Sequence, residues 1–460
     1  MRKLLLLCLL AVAVRSEEPD PAAAKKLHVE TECARVSKAL EDWLGPRFEA
    51  AVPVAMKSKK ELGDFAREKA KELTPSGLLE TATRLAVRLK QVPPGYDLLE
   101  KQIELLERMV AGLYDPQADT FYVAEGAGRP GDMLFTITVA HELVHAYRDV
   151  DHDYYERMLG SVETDADWTI GVQFLVEGDA NLLGLALGQA LLQRGDPNTV
   201  LAALMRRPEA LRDAIVAGAQ SPEMMDFPRV LREFLVAPYA HGLLFAARVH
   251  EKAGLEGLVQ AYRQPPRSSE QVLHPEKYLA ETPDEPQVIV GDGPAAALGD
   301  GWTVAMHNVM GEFELRVLLV ESLGEAESAA AAAGWDGSRY WFCTRDGAPD
   351  FFGMTTVWDT DADAAQFAAA WAKWASKRDG GEPAAVREVL DGTVLRGYDV
   401  DTKDGLVAVR FAGMDAFVAD GVPPEELAAG LASLGAVRRV ERRAAPRVVH
   451  EVGQLGAAGE

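Results

Sequence analysis

Residues 135–150, FTITVAHELVHAYRDV, constrain this chain more tightly than any other stretch. Phe135, Ile137, Val139, Leu143 and Val144 are apolar, and neither Gly nor Pro interrupts them. The spacing predicts a largely buried helix. Inside it lies His141-Glu142-Leu143-Val144-His145. Residues four apart stack on one face of a helix, so His141 and His145 would present two imidazoles to one point, with Glu142 one step round. Two neutral imidazoles and a nearby carboxylate are what zinc-assisted hydrolysis needs: nitrogen ligands, and a base for the attacking water. The chain has only 9 His in 460 residues. With positions independent, such a pentad arises by chance on the order of once per 100 chains of this kind.

A catalytic zinc site wants a third protein ligand. The stretch 165–194 predicts a second apolar helix, with Trp168, Val172, Leu175, Val176, Leu182, Leu183, Leu185 and Leu187 at helical spacing. Glu177 interrupts that apolar run, and a carboxylate among apolar neighbours is costly unless paired or bound to metal. Glu177 is therefore the expected third ligand. Gly178 and Ala180 beside it are small and would let this helix approach the first. The alternative is Asp151, ten positions after His141, which needs a sharp turn that Arg148 is poorly suited to make.

The N-terminus carries a basic pair, Arg2-Lys3, then an apolar run from Leu4 to Val14 that is too short to span a bilayer. This predicts a secretory signal over residues 1–16 and an exported protein, periplasmic or extracellular, with no stable membrane span after cleavage. A formal net charge of −23 argues against nucleic-acid partners and against docking on an anionic membrane. Cleavage leaves Cys33 and Cys343. They suit either one long-range bridge or two buried thiols, and not a zinc site built on paired cysteines.

Helices are expected over Leu27–Leu44, Ser58–Leu73, Ser76–Lys90 and Leu98–Ala111, and a strand over Phe48–Met56. Leu113-Tyr114 and Phe121–Val123 flank a turn and predict a hairpin. It serves either as a strand that takes an extended peptide onto its edge or as a plain core hairpin. Tyr239 and His241, in PYAHG, stand just before another apolar helix, and each is a candidate donor to a developing oxyanion. A Pro- and Ser-rich stretch over 265–286 is expected to close the first domain. Residues 287–443 then read as a smaller α+β domain with no cluster of His, Cys or paired carboxylates, and 444–460 as a flexible tail.

HELVH at 141–145 followed by VEGDA at 176–180 resembles the gluzincin arrangement. More closely, AGLYDPQADTFYV, VAHELVHAYRD, LVEGDA, PYAHG, SSEQVLHPEKY and AAGWDGSRYWF resemble a group of exported bacterial metallopeptidase-like proteins. The resemblance implies an α+β protein: a mainly helical zincin-like metallopeptidase domain with a small sheet over 17–286, then the smaller domain. It also implies one Zn²⁺ on His141, His145 and Glu177, Glu142 as general base, Tyr239 or His241 sharing the oxyanion charge, and a peptide or protein substrate. Gluzincins often place a carboxylate four residues after the third ligand to orient a liganding His. Asn181 stands there in this chain, and Asp149 is the candidate substitute. Two other readings stay open: a zinc-bound but inactive envelope scaffold, and an enzyme acting on a non-peptide amide or ester.

Overall fold

The computed structural model describes residues 22–73, 77–128, 132–152, 157–158, 160–391 and 395–440. The expected signal segment 1–16 and the tail 444–460 lie outside them. The chain is α+β.

Three helices make the frame of the N-terminal half. The first, Met133–His152, carries HELVH, and its entry is closed by the Asp132 carbonyl accepting from the Thr136 N–H at 3.0 Å. The second, Ala166–Gln193, carries Glu177 and starts with the Asp165 carboxylate accepting from the Trp168 N–H at 3.1 Å. It is apolar all round because it is central, with a neighbour on each flank. The third, Arg229–Arg263, runs through Pro238 and departs from helical dihedrals only at Gly254.

Glycines set how close these helices come. A Cβ at Gly184 would lie 2.9 Å from the His141 Cα, and one at Gly178 would lie 2.0 Å from the Gly242 carbonyl oxygen. Gly178 therefore admits the third helix, and Gly184 admits the first. The expectation that Gly178 serves the approach to the first helix is corrected in that respect.

A small sheet joins β1 (Val54–Lys57), β2 (Gly112–Asp115) and β3 (Thr120–Ala124) in the order β1-β3-β2. β2 and β3 form the expected hairpin, and β2 is an edge packed on the HELVH helix. The strand expected from Phe48 begins only at Val54, after Pro53, which lacks the N–H that a ladder needs. The stretch 265–286 is not a loose linker. It forms two short helices, Ser269–Leu273 and Pro275–Leu279, and Ser268 to Gln271 are all buried.

The C-terminal half adds β4 (Val288–Val290), β5 (Thr303–Asn308), β6 (Trp335–Thr344), β7 (Phe351–Trp358), β8 (Val386–Asp391), β9 (Leu395–Thr402), β10 (Gly405–Ala412), β11 (Asp415–Asp420) and β12 (Arg438–Val440). Seven of these form one antiparallel sheet in the order β5-β6-β7-β11-β10-β9-β8. Tyr340 and Phe342 face a core with the helices Glu312–Leu323 and Asp361–Lys377, whereas Trp341 and Cys343 face a second layer with Trp302 and Leu434. Helical cover on both faces explains why β7 reads FFGMTTVW, without alternation.

The two halves share their cores. Phe313 and Val317 pack with the N-terminal core, and Leu85 and Leu89 pack with the C-terminal one. Arg88, from the helix Leu78–Arg88, pairs with the fully buried Asp420, which also pairs with Arg378. Cys33 and Cys343 are buried free thiols, one in each half. Among the described residues two helices, Ala166–Gln193 and Arg229–Arg263, are long and apolar enough to cross a membrane, but both build the protein core.

Candidate metal centre

His141 and His145 point from one face of their helix towards Glu177 on the next. The His141 Nε2 lies 3.0 Å from the His145 Nε2 and 3.2 Å from the Glu177 Oε2. The third edge, His145 Nε2 to Glu177 Oε2, is 3.6 Å. Among the described residues this is the one group of His, Cys, Asp and Glu side chains whose ligating atoms converge in this way. Metal bonds of 2.0–2.2 Å in a tetrahedron put ligand atoms about 3.3 Å apart, so the triangle has the right size for zinc. The Glu177 carboxylate is enclosed by the two imidazole Nε2 atoms and by Tyr239, which hydrogen-bonds to it. A carboxylate held in a protein interior is costly, and a cation shared with two imidazoles offsets that cost. The donor set, two imidazoles and a carboxylate, suits Zn²⁺.

The charges around the site are arranged unevenly. Burial alone would raise the Glu177 carboxyl, but His145 and His141 outweigh it and hold it well below the usual carboxylate range. Burial pushes Glu142 up to about 7, with His141 opposing that rise and the charge of Glu177 adding to it. Glu142 is not turned into the triangle. Its Oε2 accepts the Tyr114 backbone N–H at 2.8 Å, so the edge strand β2 holds it beside the site. The Tyr114 hydroxyl lies 2.8 Å from Asp119 Oδ1 and 3.2 Å from Asp149 Oδ2 and shares its one proton between them, which ties the same hairpin to the HELVH helix a second time.

Of the two oxyanion candidates, the structure brings one to the site. The Tyr239 ring stacks at 5.9 Å on His141, and its phenol is raised first by the charge of Glu177 and then by burial. His241 lies two residues on along the same helix, so it faces another way. It stacks on Phe174 at 6.4 Å, and burial, then Arg316 and Arg212, lower it to about 4. The alternative third ligand, Asp151, falls in the last turn of the first helix, but its side chain lies outside the described residues.

The contacts of the two expected orienting residues lead elsewhere in part. Asn181 donates from Nδ2 to the Tyr239 carbonyl at 3.2 Å, so it holds the third helix, and Asp149 serves Tyr114. A different pair does the bracing, one the sequence reading missed. Arg148 Nε donates to Asp179 Oδ2 at 2.7 Å, and both side chains are buried. Arg148 is three residues past His145 and Asp179 two past Glu177, so this pair joins the two ligand helices next to the site. The signal was present: Asp179 is as anomalous in its apolar run as Glu177.

Removing one partner of a buried ion pair leaves an uncompensated charge, at about 3–5 kcal/mol. Arg148→Met alone is expected to lower the first unfolding transition by roughly that amount in a urea titration. Arg148→Met with Asp179→Leu is expected to recover most of the loss. A single variant as stable as wild type would show that the pair does not brace the helices.

The comparisons bear on the C-terminal half. A family described as a domain of unknown function, DUF8575, matches residues 302–428, a span that contains none of His141, His145 and Glu177. No curated protein and no solved structure matches the chain.

Proposed function

We propose that the chain is an exported zinc-dependent metallopeptidase that hydrolyses peptide bonds. The observation that carries the reading is the convergence of His141 Nε2, His145 Nε2 and Glu177 Oε2, with edges of 3.0, 3.2 and 3.6 Å, beside a fourth group, Glu142, that is held off the triangle. One Zn²⁺ held by the three ligands supplies a Lewis acid and lowers the pKa of a water towards about 7. Glu142 takes the proton of the attacking water and hands it to the leaving amine. Tyr239, stacked on His141, is the donor for the developing oxyanion, and His241 is dropped from that role. The edge strand β2 runs beside Glu142 and offers backbone groups to an extended peptide or protein substrate.

Metal analysis of the purified protein tests this reading, together with turnover of a quenched peptide library. Wild type is expected to hold one zinc per chain and to cleave peptides. Glu177→Ala is expected to cut zinc affinity by well over tenfold, whereas Asp151→Ala stays within about tenfold, the lower end of an outer-sphere effect. The reverse pattern would move the third ligand to the end of the first helix. Stoichiometric zinc with no peptide turned over would favour the inactive scaffold.

A further inference from the structure

The C-terminal half carries no ligand, yet it reaches the two helices that present Glu177 and Tyr239. Phe313 lies in the second residue position of the helix Glu312–Leu323 and is buried at 3% exposure. Its ring meets Phe174 edge-on at 5.1 Å and 75°, and Phe234 at 5.1 Å and 64°. Phe174 stands three residues before Glu177, and Phe234 stands five before Tyr239. One aromatic ring from the C-terminal half is thus wedged between both helices, about one turn from the side chains that they present to the site.

Polar contacts fix the wedge. Asn308 Oδ1 accepts the Ala166 N–H at 2.8 Å, in the first turn of the Glu177 helix, and Asn308 Nδ2 donates to the Val162 carbonyl at 2.8 Å. The Phe313 N–H donates to Ser269 Oγ at 3.1 Å, and the Ser269 N–H donates to Asp167 Oδ2 at 3.1 Å. Asp167 belongs to the first turn of the Glu177 helix. A Cβ at Gly311 would lie 1.7 Å from Asp167 Oδ1, so the two segments touch at van der Waals distance.

We propose that the C-terminal half is a working part of the metal centre, with Phe313 and Asn308 as positioning residues that set the spacing of Glu177 and Tyr239. The proposal rests on the metal-centre reading above. Packed cores do not deform continuously, so loss of the wedge moves the helices and their ligands together. Coupling of this kind is reciprocal: if docking of the C-terminal half favours metal, metal must favour docking.

The test uses the full mature chain and Zn²⁺ itself. Affinity is read by competition with a chromophoric chelator, and coordination by the visible spectrum of the Co²⁺-loaded protein. Phe313→Ala is expected to weaken Zn²⁺ by at least about tenfold, the lower end of what displaced outer groups cost. It should also change the Co²⁺ spectrum, with Phe313→Leu intermediate. Trp371→Ala is the control, since Trp371 is equally buried but packs on Phe352 and Phe367 in the C-terminal core. It should reduce thermal stability and leave zinc affinity and spectrum unchanged. In wild type, adding Zn²⁺ should slow amide exchange at 312–317 as well as at 166–180, a readout that survives even if Phe313→Ala does not fold. Equal zinc affinity in Phe313→Ala and Trp371→Ala, or exchange at 312–317 indifferent to Zn²⁺, would overturn the proposal. Wild-type protein that takes up no Zn²⁺ would instead overturn the metal centre on which it rests.

Discussion

Glu142→Gln is expected to keep one zinc per chain and to lose at least about 100-fold in peptide turnover, with general-base losses reaching about 10⁴-fold. The geometry separates the two effects. Glu142 binds through Oε2 to the Tyr114 N–H, and the carbonyl oxygen of Gln accepts the same hydrogen bond. The side chain therefore keeps its place beside the triangle. What it loses is the lone pair of a carboxylate at which to hold the water's proton, because an amide is not a base at neutral pH. Stability should not fall, because the change removes a buried negative charge that repels Glu177. Metal content by mass spectrometry under native conditions, thermal unfolding and kcat on one cleaved peptide are the three measurements. A variant that loses zinc would make Glu142 a ligand. A variant with wild-type kcat would take the base out of the proposed reaction.

The parts of this site that could be read from the sequence are those fixed by helix periodicity. His141 and His145 converge because they are four apart, and Glu177 stood out as a carboxylate in an apolar run. Periodicity misled at Pro238. The sequence places Tyr239 and His241 just before an apolar helix, which leaves either one as the donor. In the structure the helix runs from Arg229 through Pro238, and two residues along a helix turn through about 200°. Only Tyr239 then faces His141. The hold of Tyr114 on Glu142 was not legible at all, because its donor is a backbone N–H that every residue but Pro carries. The α+β class followed from the change of pattern near residue 287. The exchange of core residues did not, because Leu85, Leu89, Phe313 and Val317 are ordinary apolar positions of amphipathic helices whichever core they enter.

That exchange carries the second large expectation. The composition change at 287 leads the sequence to expect a chain ending near Pro286 to fold and keep its zinc, yet the shared cores lead to the reverse expectation, that residues 17–286 alone are insoluble or molten and hold no stoichiometric zinc. The cut takes Phe313 and Val317 out of the N-terminal core and bares Leu85 and Leu89, which the C-terminal core covers. Burying an apolar side chain of this size contributes about 1.5–3 kcal/mol, so the four together account for roughly 6–12 kcal/mol. The whole folding free energy of a domain is about 5–15 kcal/mol, so the loss is of the same order as the total. The ion pairs Arg88–Asp420 and Arg84–Asp350 and the Asn308 hydrogen bond to the Ala166 N–H of the Glu177 helix go with it. Losing that hydrogen bond costs about 1 kcal/mol more. Near-ultraviolet circular dichroism, sedimentation and zinc content, each compared with residues 17–443, decide the matter. A monodisperse 17–286 chain with native-like aromatic signal and one bound zinc would show that residues 287–443 are a dispensable attachment. The shared core would then be packing of convenience, and the match of residues 302–428 to a family of its own would mark an independent folding unit. An aggregated chain rescued by co-expression of 287–443 would show the opposite: a single folding unit in which the second half completes the walls of the first.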